Sequence, residues 1–121
     1  MAGFFLHLST IMSTVIGDMS PDMLMENEET FGPVVAMSRF TDIEEAIDRA
    51  NNSTYGLGAV VFGNMEAETV ANRMEAGMVG INQGVGGSGN APWVGAKQSG
   101  FGFHGSPDGH RQFAQVRVVS R

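Results

Sequence analysis

An alternation of segment types between residues 33 and 81 constrains the fold of this chain more than any other feature. Pro33-Val34-Val35-Ala36-Met37-Ser38-Arg39 is an apolar run of the kind found in buried strands. Thr41-Asp42-Ile43-Glu44 follows with a capping-box pattern, in which Thr41 accepts from the Glu44 backbone N–H and Glu44 reaches back. The helix it opens carries Ile43, Ala46, Ile47 and Ala50 on one apolar stripe, and Asn51-Asn52 suit its C-terminal end. Ala59-Val60-Val61-Phe62, bounded by glycines, is a second buried-strand candidate. Met65 to Ala76 reads as a second helix with the stripe Ala67, Val70, Ala71 and Met74. Glu66 and Glu68 sit near its positive end, and Gly77 is placed as its C′ residue. Met78-Val79-Gly80-Ile81 is a third strand. This order is the signature of right-handed crossovers onto a parallel sheet. The expected fold class is α/β: three layers, with a mainly parallel sheet and crossover helices.

The flanks are less regular. Residues 4–16 are rich in Phe, Leu, Ile, Thr and Val and read as one or two short strands. Gly17-Asp18 and Ser20-Pro21-Asp22 are turn chemistry. A glycine-rich stretch runs from Gly84 to Gly105. Ser106-Pro107-Asp108 then opens a short helix with Ser106 as N-cap and Pro107 at the first helical position. Val116-Arg117-Val118-Val119-Ser120 closes the chain as an alternating strand. At 121 residues the chain is expected to form one domain, residues 1–121.

Charge and cysteine usage narrow the function classes. The net charge is -6, and the seven basic residues are scattered, which argues against a nucleic-acid partner. No apolar run approaches the roughly 18 residues of a membrane helix. The chain has no cysteine, hence no disulfide framework and no thiolate metal site. With no Lys or Arg before Arg39, it lacks the basic region of a signal peptide, so a cytoplasmic location is expected. His7, His104 and His110 lack metal-ligand spacing, and no metal site is expected.

Two stretches fit G-x-G-x-x-G: Gly84 to Gly89 and Gly100 to Gly105. A dinucleotide fingerprint needs a strand before it and a helix N-terminus after it. The first is followed by Asn90-Ala91-Pro92-Trp93, which does not open a helix, and no strand leads into the second. Both are better read as loops whose backbone turns tightly or meets a close neighbour.

Five segments, in order, carry a family resemblance. They are Gly3-Phe4-Phe5 with Ser9-Thr10-Ile11; Glu29-Thr30-Phe31-Gly32-Pro33-Val34; Ala50-Asn51-Asn52 with Tyr55-Gly56-Leu57; Ala76-Gly77-Met78-Val79-Gly80-Ile81-Asn82; and Pro92-Trp93-Val94-Gly95-Ala96-Lys97-Gln98-Ser99-Gly100-Phe101-Gly102. Together they resemble the C-terminal part of NAD(P)-dependent aldehyde dehydrogenases. His7 and Leu8 depart from the pattern, where a proline is usual, and Trp93 stands where the family usually has Phe.

The resemblance implies a chemistry and a division of labour. In the family a cysteine thiolate adds to the aldehyde, hydride passes to the nicotinamide, and a glutamate-activated water releases the carboxylic acid. Glu29 matches the glutamate that holds the nicotinamide-ribose hydroxyls, a task suited to a carboxylate that accepts two hydrogen bonds; the alternative is an exposed loop carboxylate. Phe31 matches the aromatic flanking the nicotinamide, with a core Phe as the alternative. Trp93 matches the mouth of the aldehyde pocket, with a surface or interface aromatic as the alternative. Gly32-Pro33 is a turn into the strand, and Lys97 and Ser99 are structural hydrogen-bonding residues.

The matched part holds neither the catalytic cysteine and general-base glutamate nor the cofactor-binding Rossmann domain. No catalytic residue is therefore assigned, and the chain alone is expected to be inactive. NAD or NADP is the cofactor of the family, with none bound by this chain as the other reading. Met1 directly before the matched stretch suggests a free-standing gene product or a deliberate fragment. The expected partners are further copies of the chain, a full-length dehydrogenase, or its N-terminal half. Succinate semialdehyde or a related small aldehyde is the substrate that overall similarity favours.

Overall fold

A computed structural model describes residues 11–86 and 90–121. The chain divides into two compact units, Met1–Phe40 and Thr41–Arg121. In the first, strand β1 (Thr14–Ile16), helix α1 (Leu24–Asn27) and strand β2 (Val34–Ala36) follow in order. β1 and β2 pair in parallel, with Thr14, Val15 and Ile16 opposite Val34, Val35 and Ala36. Two bonds extend the ladder, from Thr14 N–H to the Pro33 carbonyl and from Met37 N–H to the Ile16 carbonyl, both at 2.8 Å. β1 lies inside the stretch expected to form strands; residues 4–10 lie outside the described residues. The Ser20-Pro21-Asp22 turn is present: Met23 N–H donates to the Ser20 carbonyl, and the Ser20 hydroxyl bonds the Asp22 carboxylate. β2 is not the buried strand expected from its composition, since only Val34 is half-buried and Val35 is exposed. Within this unit it has one partner strand and a four-residue helix, too little to cover either face.

The second unit holds α2 (Ile43–Asn51), β3 (Tyr55–Gly56), β4 (Gly58–Val61), α3 (Ala67–Ala71), β5 (Met78–Ile81), β6 (Trp93–Val94), β7 (Ala96–Lys97), β8 (Phe103–His104) and α4 (Pro107–Arg111). β4 and β5 pair in parallel from Gly58 opposite Met78 to Val61 opposite Ile81. The connection between them contains α3, which packs on both strands. Two short antiparallel pairs, β3 with β7 and β6 with β8, secure the glycine-rich half. The longest pairings are thus parallel with a helical crossover, and the α/β class expected from the segment order holds.

Ala67 and Ala71, one turn apart on α3, are buried together with Ile47 of α2. The α3 stripe is inward along its length, with Val70 and Met74 half-buried. Of the α2 stripe, Ile47 is buried and Ala46 half-buried, while Ile43 and Ala50 remain exposed.

Four local expectations are corrected. The N-cap of α2 is Asp42, not Thr41: Asp42 has extended backbone, and its carboxylate accepts from Glu44 N–H at 3.3 Å. α3 stops at Ala71, short of Ala76, because its last turn tightens through bonds from Arg73 N–H to Val70 and Met74 N–H to Ala71. Gly77 is therefore no helix C′ residue; it enters β5, where its N–H donates to the Gly56 carbonyl at 2.9 Å. Residues 116–120 form no strand, since no described strand pairs with them, and Val116, Val118 and Val119 are largely exposed. The α4 start is as expected: Ser106 accepts from Gly109 N–H at 3.0 Å, and Pro107 is the first helical residue.

Arg73 grips the Glu44 carboxylate with two bonds of 2.5 and 2.6 Å, joining the first turn of α2 to the end of α3. Hydrogen bonding from this guanidinium holds the Glu44 carboxyl below the usual carboxylate range, and its charge adds to the effect. A lowered folded-state pKa contributes stability above the unfolded value and loses it as pH falls through the folded one. Carbon-detected NMR titration of Glu44 should accordingly give a midpoint below the usual glutamate range. Arg73→Met should return it there.

Candidate functional site

One candidate, within the first unit, is the loop between α1 and β2. The Val34 N–H donates to the Gly32 carbonyl at 2.8 Å, closing a three-residue turn centred on Pro33. Proline suits that centre because its ring fixes φ and it has no N–H to lose. The Pro33 carbonyl is taken by Thr14, so the exit of the turn is fastened to β1. The Gly-Pro turn into the strand is thus present as expected. Before it stand Glu29 and Phe31, both exposed; the Phe31 ring is 93% accessible, which removes the reading of a core phenylalanine within this unit. Glu26 has a different job, accepting from the Ser38 hydroxyl at 2.6 Å. Among the described residues, the Glu29 carboxylate has no bonding partner.

A separate candidate lies in the other unit. Trp93 opens β6 and pairs with His104 of β8. It borders an open groove of about 450 Å³ lined also by Leu57, Phe101, Phe103, His104 and Phe113. Trp93 is 39% exposed, so its indole is partly seated and partly presented. The groove is rich in aromatic carbon and floored by the Gly100-Phe101-Gly102 loop. Gly102 and Gly105 have φ of 81° and 79°, conformations that favour glycine, and they account for the second G-x-G-x-x-G match as loop geometry. Of the first match, Gly87, Ser88 and Gly89 lie outside the described residues.

A set of long-range hydrogen bonds holds the Trp93 segment in place. Lys97 Nζ donates to the Asn51 carbonyl at 2.7 Å and the Ser53 carbonyl at 3.1 Å, and pairs with Glu75 at 2.7 Å. The Ser99 hydroxyl accepts from Gly56 N–H at 3.0 Å. Lys97 and Ser99 thus act as the structural hydrogen-bonding residues expected. The sequence reading missed two partners. Asn51 donates through its side chain to the Arg73 carbonyl and accepts from Glu75 N–H, each at 2.9 Å. Asn82, at φ 54°, makes a matching two-bond clip with Gly63, also at 2.9 Å for each bond. Asparagine tolerates that backbone conformation and carries both a donor and an acceptor, the only local signal that could have singled it out. Among the described residues, no group of three His, Asp or Glu side chains could hold a metal ion.

The aldehyde dehydrogenase family profile matches residues 9–119. The chain belongs to the aldehyde dehydrogenase family. Relatives of this family member include the succinate-semialdehyde dehydrogenase [NADP(+)] of Deinococcus radiodurans, 41% identical over 111 residues, a match covering 90% of this chain and 23% of that protein. The mitochondrial succinate-semialdehyde dehydrogenase of Arabidopsis thaliana is 41% identical over 108 residues, covering 88% of this chain and 20% of that protein. Among solved structures, betaine aldehyde dehydrogenase from Staphylococcus aureus in complex with NAD+ superposes with a TM-score of 0.74 at 39% identity, over 82% of this chain and 20% of that one. An oxidoreductase from Marinobacter aquaeolei gives 0.78 at 38% identity, over 88% of this chain and 23% of that one. This aldehyde dehydrogenase chain therefore spans between a fifth and a quarter of the length of the relatives it matches. No described helix is long and apolar enough to cross a membrane.

Proposed function

We propose that residues 1–121 form one partial C-terminal portion of an NAD(P)-dependent aldehyde dehydrogenase catalytic domain, supplying cofactor- and substrate-facing groups for oxidation of an aldehyde to a carboxylic acid. Glu29 would take the nicotinamide-ribose hydroxyls, Phe31 would flank the nicotinamide, and Trp93 would line the aldehyde pocket. The bound cofactor supplies the hydride acceptor. The observation that carries this reading is the presentation of Glu29 and Phe31 on one loop fastened to a strand pair, with the carboxylate uncommitted to any described group and the ring bare. The relatives named for succinate semialdehyde support a small aldehyde of that kind as substrate. With no cysteine to form the thiolate, this chain alone should not turn over aldehyde. A cytoplasmic location is part of the same proposal. Titration with NAD+ and with NADP+ tests the cofactor reading. Amide shifts at Glu29 and Phe31 should move, and Glu29→Gln should weaken the response; spectra unchanged at millimolar nucleotide would reject it.

A second reading, of a non-catalytic module that oligomerises or docks on a full-length dehydrogenase or its N-terminal half, is favoured by the uncovered apolar side chains. Val35, Met37, Phe62, Phe113, Val116 and Val118 are each more than half exposed, a load that single soluble chains seldom leave open. Residues 116–120, which form no strand here, alternate apolar and polar side chains and could add as a strand to another chain. Sedimentation velocity at tens of micromolar should show a dimer or larger. A single monomeric boundary, with no dehydrogenase retained in pull-down from co-expressing cells, would remove this reading.

A further inference from the structure

We infer that the Lys97 ammonium is a built-in monovalent cation, held in a cage of three oxygens, that positions the Trp93-bearing segment. An ammonium has three donors and no acceptor. At Lys97 all three find one: the Asn51 carbonyl, the Ser53 carbonyl and a Glu75 carboxylate oxygen, at 2.7, 3.1 and 2.7 Å. Asn51 is the last residue of α2, so its carbonyl lies at the negative end of that helix. The cage thus combines one full negative charge with two oriented dipoles around one point. That arrangement suits a compact charge and not the planar fork of a guanidinium. The Lys97 side chain is 24% exposed and that of Glu75 62%, so the lysine end is partly shielded while the carboxylate stands largely in water.

The link to Trp93 is short. β6 and β7 have two residues each and are separated only by Gly95. So little sheet fixes a segment weakly, and Lys97 itself stands at φ 52°, outside strand geometry. Its side-chain grip, with Ser99 on Gly56, supplies the anchoring that the two-residue ladders lack. Three residues lie between the anchor and the indole, so release of the ammonium is transmitted to Trp93. Lys97 is a positioning residue in this account. The inference relies on the proposed function only for what Trp93 faces; the experiments read its position without aldehyde or nucleotide, so either idea fails independently of the other.

In the 15N-labelled chain at low temperature, three hydrogen bonds should slow proton exchange enough for the Lys97 ammonium to give a cross-peak; its absence would overturn the cage. Trp93 is the only tryptophan, so its emission reports this segment alone. Lys97→Met should displace the emission maximum. Ammonium chloride should recover about half or more of the displacement, while tetramethylammonium chloride at equal concentration, which has no donor, should recover none. Equal recovery by both salts, or no displacement, would overturn the proposal. Should Lys97→Met not fold in either salt, Glu75→Gln decides. It keeps an acceptor and removes the charge, so the ammonium peak should broaden and the Trp93 emission should move; an unchanged peak and unchanged emission would overturn the proposal.

Discussion

Gly77→Ala is expected to be the most damaging single-methyl addition in the second unit. A Cβ at this position would stand 2.2 Å from the Val94 carbonyl oxygen and 2.7 Å from its carbon. The obstacle is backbone, part of the β6–β7 segment, and it cannot swing aside as a side-chain end would. Overpacking ordinarily costs about 1–3 kcal/mol, and a rigid backbone obstacle places this case at about 3 kcal/mol or more. Against a total stability of about 5–15 kcal/mol, that loss moves the urea midpoint substantially. Trp93 emission during urea unfolding is the measurement, because Trp93 adjoins Val94. Gly84→Ala is the control: nothing lies within 4 Å of its added Cβ, and its midpoint should stay near wild type. Equal midpoints for the two variants would show that Gly77 and the Val94 backbone are not in contact in solution.

Asn51→Ala carries the second large effect. One side chain satisfies the Arg73 carbonyl and the Glu75 N–H, so truncation orphans a donor and an acceptor together. Both bonds are exposed, so water can take the lost partner's place and the loss is the net worth of the bonds, about 0.5–1.5 kcal/mol each. The Glu75 amide, protected in wild type, should exchange rapidly with solvent in the variant. Asn51→Asp is not a rescue: its carboxylate accepts from Glu75 but has no donor for the Arg73 carbonyl. Hydrogen exchange at Glu75 should therefore recover in the Asp variant while overall stability does not. Unchanged exchange at Glu75 in Asn51→Ala would contradict the account.

Features that lived in local spacing were legible in the sequence. The i, i+4 pair Ala67 and Ala71 announced the inner face of α3, and Ser106-Pro107 announced the start of α4 because a cap and its helix lie within one turn. Thr41 lost its capping role to Asp42 because both residues are competent caps and only backbone geometry chooses between them. The exposure of Val35 could not be read from its neighbours, since it depends on what covers the strand. The motif Glu29 to Val34 gave the turn, because Gly-Pro chemistry is local, but not whether Phe31 was core or bare. Asn51 read as a helix end and proved also to be a clip, because its partners stand 22 and 24 residues away. Lys97 reaches back 44 and 46 residues, beyond any periodicity.

Those separations set an order in time. β4, α3 and β5 close within one continuous stretch, whereas the Lys97 and Ser99 bonds must first gather some 43 to 46 residues of chain. Loop closure charges the longer connection more entropy before any bond forms, so the Lys97 and Ser99 bonds are expected to close after the main folding barrier. Interactions absent from the transition state act on the unfolding rate and leave the folding rate nearly untouched. The Ser99→Ala chevron should accordingly shift its unfolding limb and retain its folding limb. These bonds would then govern how long a folded molecule persists, and hence how well it resists proteases, more than how quickly it is made.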